Sequence, residues 1–331
     1  MKNIIYIEKE IINHKKTQEI LSKFKDFSVI EIDRYSEIFN RKNQDFKAQK
    51  NFGRSFILAH KKEVFVHKNP EYCVSSLKRN YYFSTTLNCP FDCEYCFLQG
   101  MYRSAYPLIF INTDDFKKEI GEIIQKYPKE KIMFFSGYDN DSLALDVITN
   151  FSEDFIPWFE KFPNAILEMR TKSANIQNIK KLKPTENTLL TWTLSPKEIQ
   201  ETYERKTASL IDRIKALKEM QKKGWKVGIR IEPIIYSKEW KVIYKSFFEE
   251  LKKEIDFTKI ENIYFGLFKI PKDFFKKMKT IHPNSKLFHR YFEGGDDGQL
   301  TYEKEKEEEI KTFMKEECSK LIVEDKVFYV Y

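Results

Sequence analysis

Residues 82–100 read Tyr-Phe-Ser-Thr-Thr-Leu-Asn-Cys-Pro-Phe-Asp-Cys-Glu-Tyr-Cys-Phe-Leu-Gln-Gly. The first six, Tyr82–Leu87, are aromatic, β-branched and small, the composition of a strand. In the loop that follows, Cys89, Cys93 and Cys96 stand in the spacing Cys-x3-Cys-x2-Cys. From this strand onward, apolar runs of strand length alternate with amphipathic runs of helix length. Strands are predicted at Tyr82–Leu87, Ile132–Phe135, Ala165–Arg170, Thr188–Leu194, Lys226–Glu232 and Ile260–Leu267. Helices are predicted at Asp114–Lys126, Phe151–Lys161, Asn175–Leu182, Ser209–Lys223, Glu239–Ile255 and Lys272–Ile281. Such alternation implies a parallel sheet with right-handed crossovers. Six strand–helix units predict an α/β fold, either a partial (βα)6 TIM-like barrel or an open sheet. In both, ligands gather at the carboxyl ends of the strands, where the cysteine loop sits.

The flanks read differently. Residues 1–80 form an N-terminal α/β region, with strand-like runs at Ile4 to Ile7 and Ser28 to Ile32 around a helix-like run from Lys16 to Phe27. Apolar patches follow at Phe56-Ile57-Leu58 and Val64-Phe65-Val66. Residues 81–286 hold the barrel. Residues 287–331 are a C-terminal extension: a hairpin around Glu293-Gly294-Gly295-Asp296-Asp297-Gly298, a charged helix at 303–318 and a last strand, Val327–Val330.

Composition sets bounds on function. The chain has 331 residues, with 58 Lys plus Arg against 50 Asp plus Glu, a net charge of +8. Hydrophobic residues at 41% and charged residues at 33% describe a soluble globular protein. The excess of positive charge is mild; it permits nucleic-acid binding without requiring it. The N-terminus lacks the features of a signal peptide. No run approaches the roughly 18 apolar residues of a membrane span. A cytoplasmic protein without membrane contact is expected.

The five cysteines are odd in number, and three fall within residues 89–96. In a reducing compartment such a cluster reads as metal binding or catalysis, and Cys73 and Cys318 read as ordinary buried thiols. Three thiolates on a short loop can hold three corners of a cubane iron–sulfur cluster and leave the fourth iron open. An open iron can chelate the amino and carboxylate groups of S-adenosylmethionine. The alternative is a structural zinc site with Cys73 as fourth ligand, although zinc favours two close pairs of ligands.

Cys-x3-Cys-x2-Cys with Tyr95 just before the last cysteine is identified as the signature of the radical S-adenosylmethionine superfamily. Cys93-Glu94-Tyr95-Cys96-Phe97-Leu98-Gln99 resembles the spore photoproduct lyase family within it. Asn112-Thr113-Asp114-Asp115, Arg170-Thr171-Lys172-Ser173, Leu194-Ser195-Pro196 and Gly224-Trp225-Lys226-Val227-Gly228 leading to Glu232-Pro233-Ile234-Ile235-Tyr236 resemble further family segments. The resemblance spans about residues 50–331. It implies a 4Fe–4S cluster on Cys89, Cys93 and Cys96. It also implies S-adenosylmethionine held by Tyr95, Ser136, Gly137, Lys172 and Ser195. The implied chemistry is cleavage of S-adenosylmethionine to methionine and a 5′-deoxyadenosyl radical that abstracts a hydrogen from the substrate. The implied partners are a one-electron reductant, flavodoxin- or ferredoxin-like, and DNA carrying a pyrimidine lesion.

Each of these residues also has a plainer reading. Lys172 can be a solvated lysine, Ser195 a turn cap before Pro196, Tyr95 a core ring, and Ser136-Gly137-Tyr138 a simple turn. Arg230 and Glu232 can be an ion couple inside the barrel or contacts to a ligand.

The sequence departs from the family at three places. The family's lyase has a cysteine near the second strand that returns a hydrogen atom to the product radical; residues 129–150 contain none. That position falls on Tyr138, or on Ser136 if the loop is shifted, so Tyr138 becomes the candidate relay residue. The lyase's tyrosine after the last cluster cysteine is replaced by Phe97, which has no O–H. The hairpin tip carries Glu293 and Asp296-Asp297 where the lyase is basic, leaving Arg290, Tyr291 and Tyr302 as candidate nucleic-acid contacts. Two other readings remain open: a radical enzyme with a different substrate, and a non-catalytic nucleic-acid-binding protein with a structural metal.

Overall fold

The central strands of the barrel segment are largely apolar on both faces, and the computed structural model buries them on both. The structure describes residues 3–52, 54–70, 75, 77–290, 292–295 and 298–330. Seven strands run parallel in one sheet: β1 (Arg79–Phe83), β2 (Ile132–Phe135), β3 (Ala165–Thr171), β4 (Thr188–Thr193), β5 (Lys226–Ile234), β6 (Ile260–Leu267) and β7 (Val327–Val330). Their order in space is β7-β6-β5-β4-β3-β2-β1, with Val66–Lys68 antiparallel on the outer edge of β1. The sheet curls into a half-barrel. Every residue of β2 and β4 is buried, which is why these strands read as continuous apolar runs.

Helices cover the outer face. Thr113–Lys126 turns Phe116, Ile120 and Ile124 inward, one residue per turn at i, i+4 and i+8. Trp240–Glu254 does the same with Tyr244, Phe247, Phe248 and Leu251. Phe151–Phe159, Leu210–Lys222 and Lys272–Ile281 are three more of the predicted helices.

A second sheet of five strands has the order Ser28–Ile32, Ile4–Glu8, Phe56–Ala59, Leu108–Phe110, Thr86–Leu87. Both sheets take strands from either side of residue 80. The first predicted barrel strand is corrected by this arrangement. Tyr82–Leu87 is split: the barrel strand ends at Phe83, and Thr86-Leu87 pairs antiparallel with Leu108-Ile109 in the second sheet. A uniform run of strand-forming residues carries no mark of where the chain changes sheets. Between the halves, Ser84 Oγ donates to Asp139 at 2.7 Å.

The predicted helix at Asn175–Leu182 is a single 3-10 turn, Ile179–Lys181. Short polar side chains compete with the helical backbone there: Ser173 Oγ accepts from Asn175 N at 3.0 Å and Asn175 Oδ1 from Gln177 N at 3.4 Å. The tail strand joins the half-barrel as β7, parallel to β6. The hairpin is present as Glu293-Gly294 against Gln299–Thr301, which also pairs with Ile270-Pro271. Its tip residues Asp296 and Asp297, with Tyr291 and Cys73, lie outside the described residues. Among the described residues, no helix is long and apolar enough to cross a membrane.

One close approach seats the segment after the cysteines. The helix Phe97–Met101 lies on Lys272–Ile281, and a Cβ on Gly100 would stand 2.4 Å from Phe274 Cβ and 2.7 Å from its Cα. Gly100→Ala is therefore expected to cost about 1–3 kcal/mol through forced separation of the two helices, read as a lowered urea midpoint.

Candidate active site at the cysteine loop

The cysteine loop is held from several sides by fixed partners. Asn88 takes a left-handed conformation, φ 66°, which Asn tolerates better than most residues. Its side chain donates to Ser104 O at 2.8 Å and accepts from Cys89 N at 2.9 Å. Asp92-Cys93 pairs antiparallel with Glu204-Arg205, and Glu94 N donates to Tyr203 O at 2.8 Å. The Gln99 amide donates to Cys93 O at 2.7 Å and Asp92 Oδ1 at 3.2 Å. Its oxygen must then be the acceptor for His282 Nε2, 2.6 Å away. From the N-terminal region, Lys50 reaches in: its buried Nζ donates to Cys89 O and, at 2.8 Å, to Phe91 O.

The loop forms one wall of a cavity of about 220 Å³ at the carboxyl ends of the strands. Cys89, Cys93 and Cys96 all line it, and none forms a disulfide. Burial pushes their thiols up, Cys89 to about 12. The opposite walls come from Gly137, Tyr138, Asn140 and Asp141 after β2, Arg170 to Lys172 at the end of β3, Thr193, Glu232-Pro233, and Leu267 to Lys269.

Gly137, Lys172, Tyr95 and Tyr138 therefore meet the three cysteines around one space. Gly137 is required there by closeness: a Cβ would stand 2.8 Å from Ser142 Oγ and 3.1 Å from Arg170 O. Lys172 Nζ lies 5.5 Å above the Tyr95 ring. Tyr138 packs on Tyr82, ring centroids 4.4 Å apart, and on Phe97 at 6.0 Å.

Ser136 and Ser195 do not line this cavity; both stand behind it. Ser142 Oγ and Ser136 Oγ are 2.9 Å apart, and Ser136 Oγ donates to Glu168 O at 3.1 Å. Ser195 Oγ donates to Glu204 Oε1 at 2.7 Å. The Tyr95 hydroxyl donates to the same oxygen, and Arg213 pairs with Oε2. Burial would raise the Glu204 carboxyl, but Arg213, Lys172 and the two hydroxyl donors together hold it below the usual range.

Sequence reasoning missed Lys50, Glu204, Arg213 and Asp141. Asp141 accepts from Thr171 Oγ1 at 2.7 Å and Lys172 N at 2.6 Å, fixing the end of β3. Arg230 is an internal ion-pair residue, 3.3 Å from Glu168 and 3.2 Å from Glu232. Tyr302 is buried; its hydroxyl accepts from Tyr236 N at 3.0 Å, so it is not a surface contact.

The donor set fits a cubane cluster with an amino-acid ligand. Cys89, Cys93 and Cys96 line one cavity, and a cubane can take one thiolate on each of three irons. Two polar atoms of the wall, Asn140 Oδ1 and Arg170 Nε, are buried without a hydrogen-bond partner. They are an acceptor and a donor on residues that line the cavity, each left without a protein partner.

The family model for spore photoproduct lyase matches residues 1–331. The chain belongs to the spore photoproduct lyase family. Spore photoproduct lyase of Clostridium acetobutylicum is 26% identical over 325 residues, covering 93% of each chain. The Bacillus subtilis enzyme is 23% identical over 295 residues, covering 86% of this chain and 83% of that one. Spore photoproduct lyase complexed with dinucleoside spore photoproduct has the same fold, with a TM-score of 0.86 at 17% identity, covering 100% of this chain and 98% of that one. A variant with bound AdoMet and dinucleoside spore photoproduct gives 0.83 at 18% identity, over 100% and 98% of the two chains. The half-barrel with its second sheet is thus the family fold.

Within this family member, Arg213→Met would leave Glu204 charged, buried and without its cation. The expected loss is about 3–5 kcal/mol, measured by urea unfolding.

Proposed function

We propose that this chain is a radical S-adenosylmethionine enzyme that repairs the spore photoproduct, a thymine lesion in DNA. The observation that carries the reading is the convergence of Cys89, Cys93 and Cys96 on the same cavity as Gly137, Tyr138 and Lys172. Cys89, Cys93 and Cys96 hold the 4Fe–4S cluster. Bound there with S-adenosylmethionine, the cluster would supply the one-electron reduction that cleaves a carbon–sulfur bond of that cofactor.

The protein's own groups do the positioning. The Lys172 ammonium offers a cation to the carboxylate of the methionine part. Asn140 Oδ1 accepts from its amino group. Gly137 lets this turn of the wall sit against Ser142 and Arg170, where a Cβ would not fit. Ser195 acts through Glu204, which fixes the Tyr95 ring in the wall; Ser136 supports Gly137 from behind. The DNA partner must present its lesion out of the base stack, as enzymes acting on bases require. Lys269 and Arg170 at the wall supply positive charge for its phosphates.

Hydrogen return falls to Tyr138. Its phenol faces the cavity, and its ring is packed on Tyr82. A phenol gives up a hydrogen atom less readily than a thiol, so the final step is expected to be slow. A one-electron carrier of the flavodoxin or ferredoxin kind supplies the electron.

Two variants test the reading. Cys93→Ala should abolish 5′-deoxyadenosine formation in reduced, iron-loaded protein; retained formation would place the cluster elsewhere. Tyr138→Phe should lower restored thymine by about tenfold or more, about 1.4 kcal/mol in barrier, while 5′-deoxyadenosine still forms. Unchanged repair in this variant would remove Tyr138 from the hydrogen path.

A further inference from the structure

A second cleft, of about 720 Å³, lies on the outer side of the cysteine loop. Phe56 of the second sheet forms one side of it, and Leu145, Val147 and Ile148 the other. The loop divides the two spaces residue by residue. Cys89 and Phe91 line the active cavity, while Pro90 between them lines the cleft. Lys50 also lines the cleft, and its Nζ donates to the Cys89 and Phe91 carbonyls. One residue of backbone and a hydrogen bond therefore connect the cleft to a cluster ligand.

The charge of the cleft has one sign. Its described lining contains Lys50, Arg54 and Lys206 and no carboxylate. Arg54 and Lys206 are exposed. At the rim, the exposed Lys23 donates to Val147 O at 2.8 Å. Phe24 and Tyr106 add aromatic surface. The cleft is separate from the active cavity, which substrate and S-adenosylmethionine fill during turnover.

We propose that this cleft is the docking site of the reductant, an acidic one-electron carrier protein whose redox group is presented to Pro90 and Lys50. The proposal rests on the radical-enzyme reading above. In the step, the carrier loses one electron and the cluster gains it; no bond forms and no proton moves. A cationic cleft over the loop steers an acidic partner to the one face where the path to Cys89 is short. Substrate binding and reduction then use opposite sides of one loop and do not compete.

The test is stopped-flow reduction of the iron-loaded protein. Flavodoxin hydroquinone serves as the acidic carrier and photoreduced 5-deazariboflavin as a small control reductant. The double variant Arg54→Glu/Asn51→Glu brings the charge of the described lining from +3 to zero without touching the cysteine loop. Its rate constant with flavodoxin should fall about tenfold or more, and its rate with deazaflavin should stay unchanged. An unchanged flavodoxin rate would overturn the proposal. In the wild type, added salt should slow flavodoxin reduction and leave deazaflavin reduction alone. Reduction by flavodoxin that ignores salt would overturn it without any variant. A wild-type protein that takes up no iron would instead overturn the radical-enzyme reading.

Discussion

Glu204 is a carboxylate with no access to solvent, paired with an equally buried Arg213. A buried charge of this kind persists only when every lone pair is satisfied, and here the satisfaction organises the site. One carboxylate oxygen takes the hydroxyls of Tyr95 and Ser195, and the other takes the guanidinium. The backbone of the same residue pairs with Cys93. The end of the fourth barrel strand, the helix carrying Arg213 and the cysteine loop are thereby fixed to one point. These contacts of the polypeptide fix the position of the loop.

The N-terminal region completes this arrangement from the other side. Lys206 Nζ donates to Lys50 O, and Lys50 Nζ donates to the loop carbonyls. The cluster loop is thus clasped between barrel and second sheet. Its inner side carries the three thiols and its outer side a cationic cleft. On the proposed reading, that division gives one short segment two faces, one for chemistry and one for electron entry.

Much of this was legible in the sequence, and the limits have physical causes. The cysteine spacing, Gly137, Lys172 and Tyr138 could be read because local order places them at strand ends, and strand ends meet at one rim. Ser136 and Ser195 were read as cofactor contacts, yet both hydroxyls point to buried carbonyl or carboxylate partners behind the wall. A hydroxyl at a strand end carries no mark of which way it turns. Lys50 and Glu204 could not be found at all: they act on residues 39 and 109 positions away along the chain. The first strand was misplaced because Thr86-Leu87 has the same composition as the residues before it but pairs in the other sheet. The plain ion-couple reading of Arg230 and Glu232 was the right one for Arg230.

The most direct measurement of the central claim is product analysis with the dinucleoside spore photoproduct. Anaerobically loaded protein, reductant and S-adenosylmethionine are incubated with it, and the thymine dinucleotide is quantified by chromatography. The account predicts restored thymine dinucleotide, dependent on S-adenosylmethionine. Formation of 5′-deoxyadenosine with the photoproduct left intact would contradict it and assign the radical to another substrate.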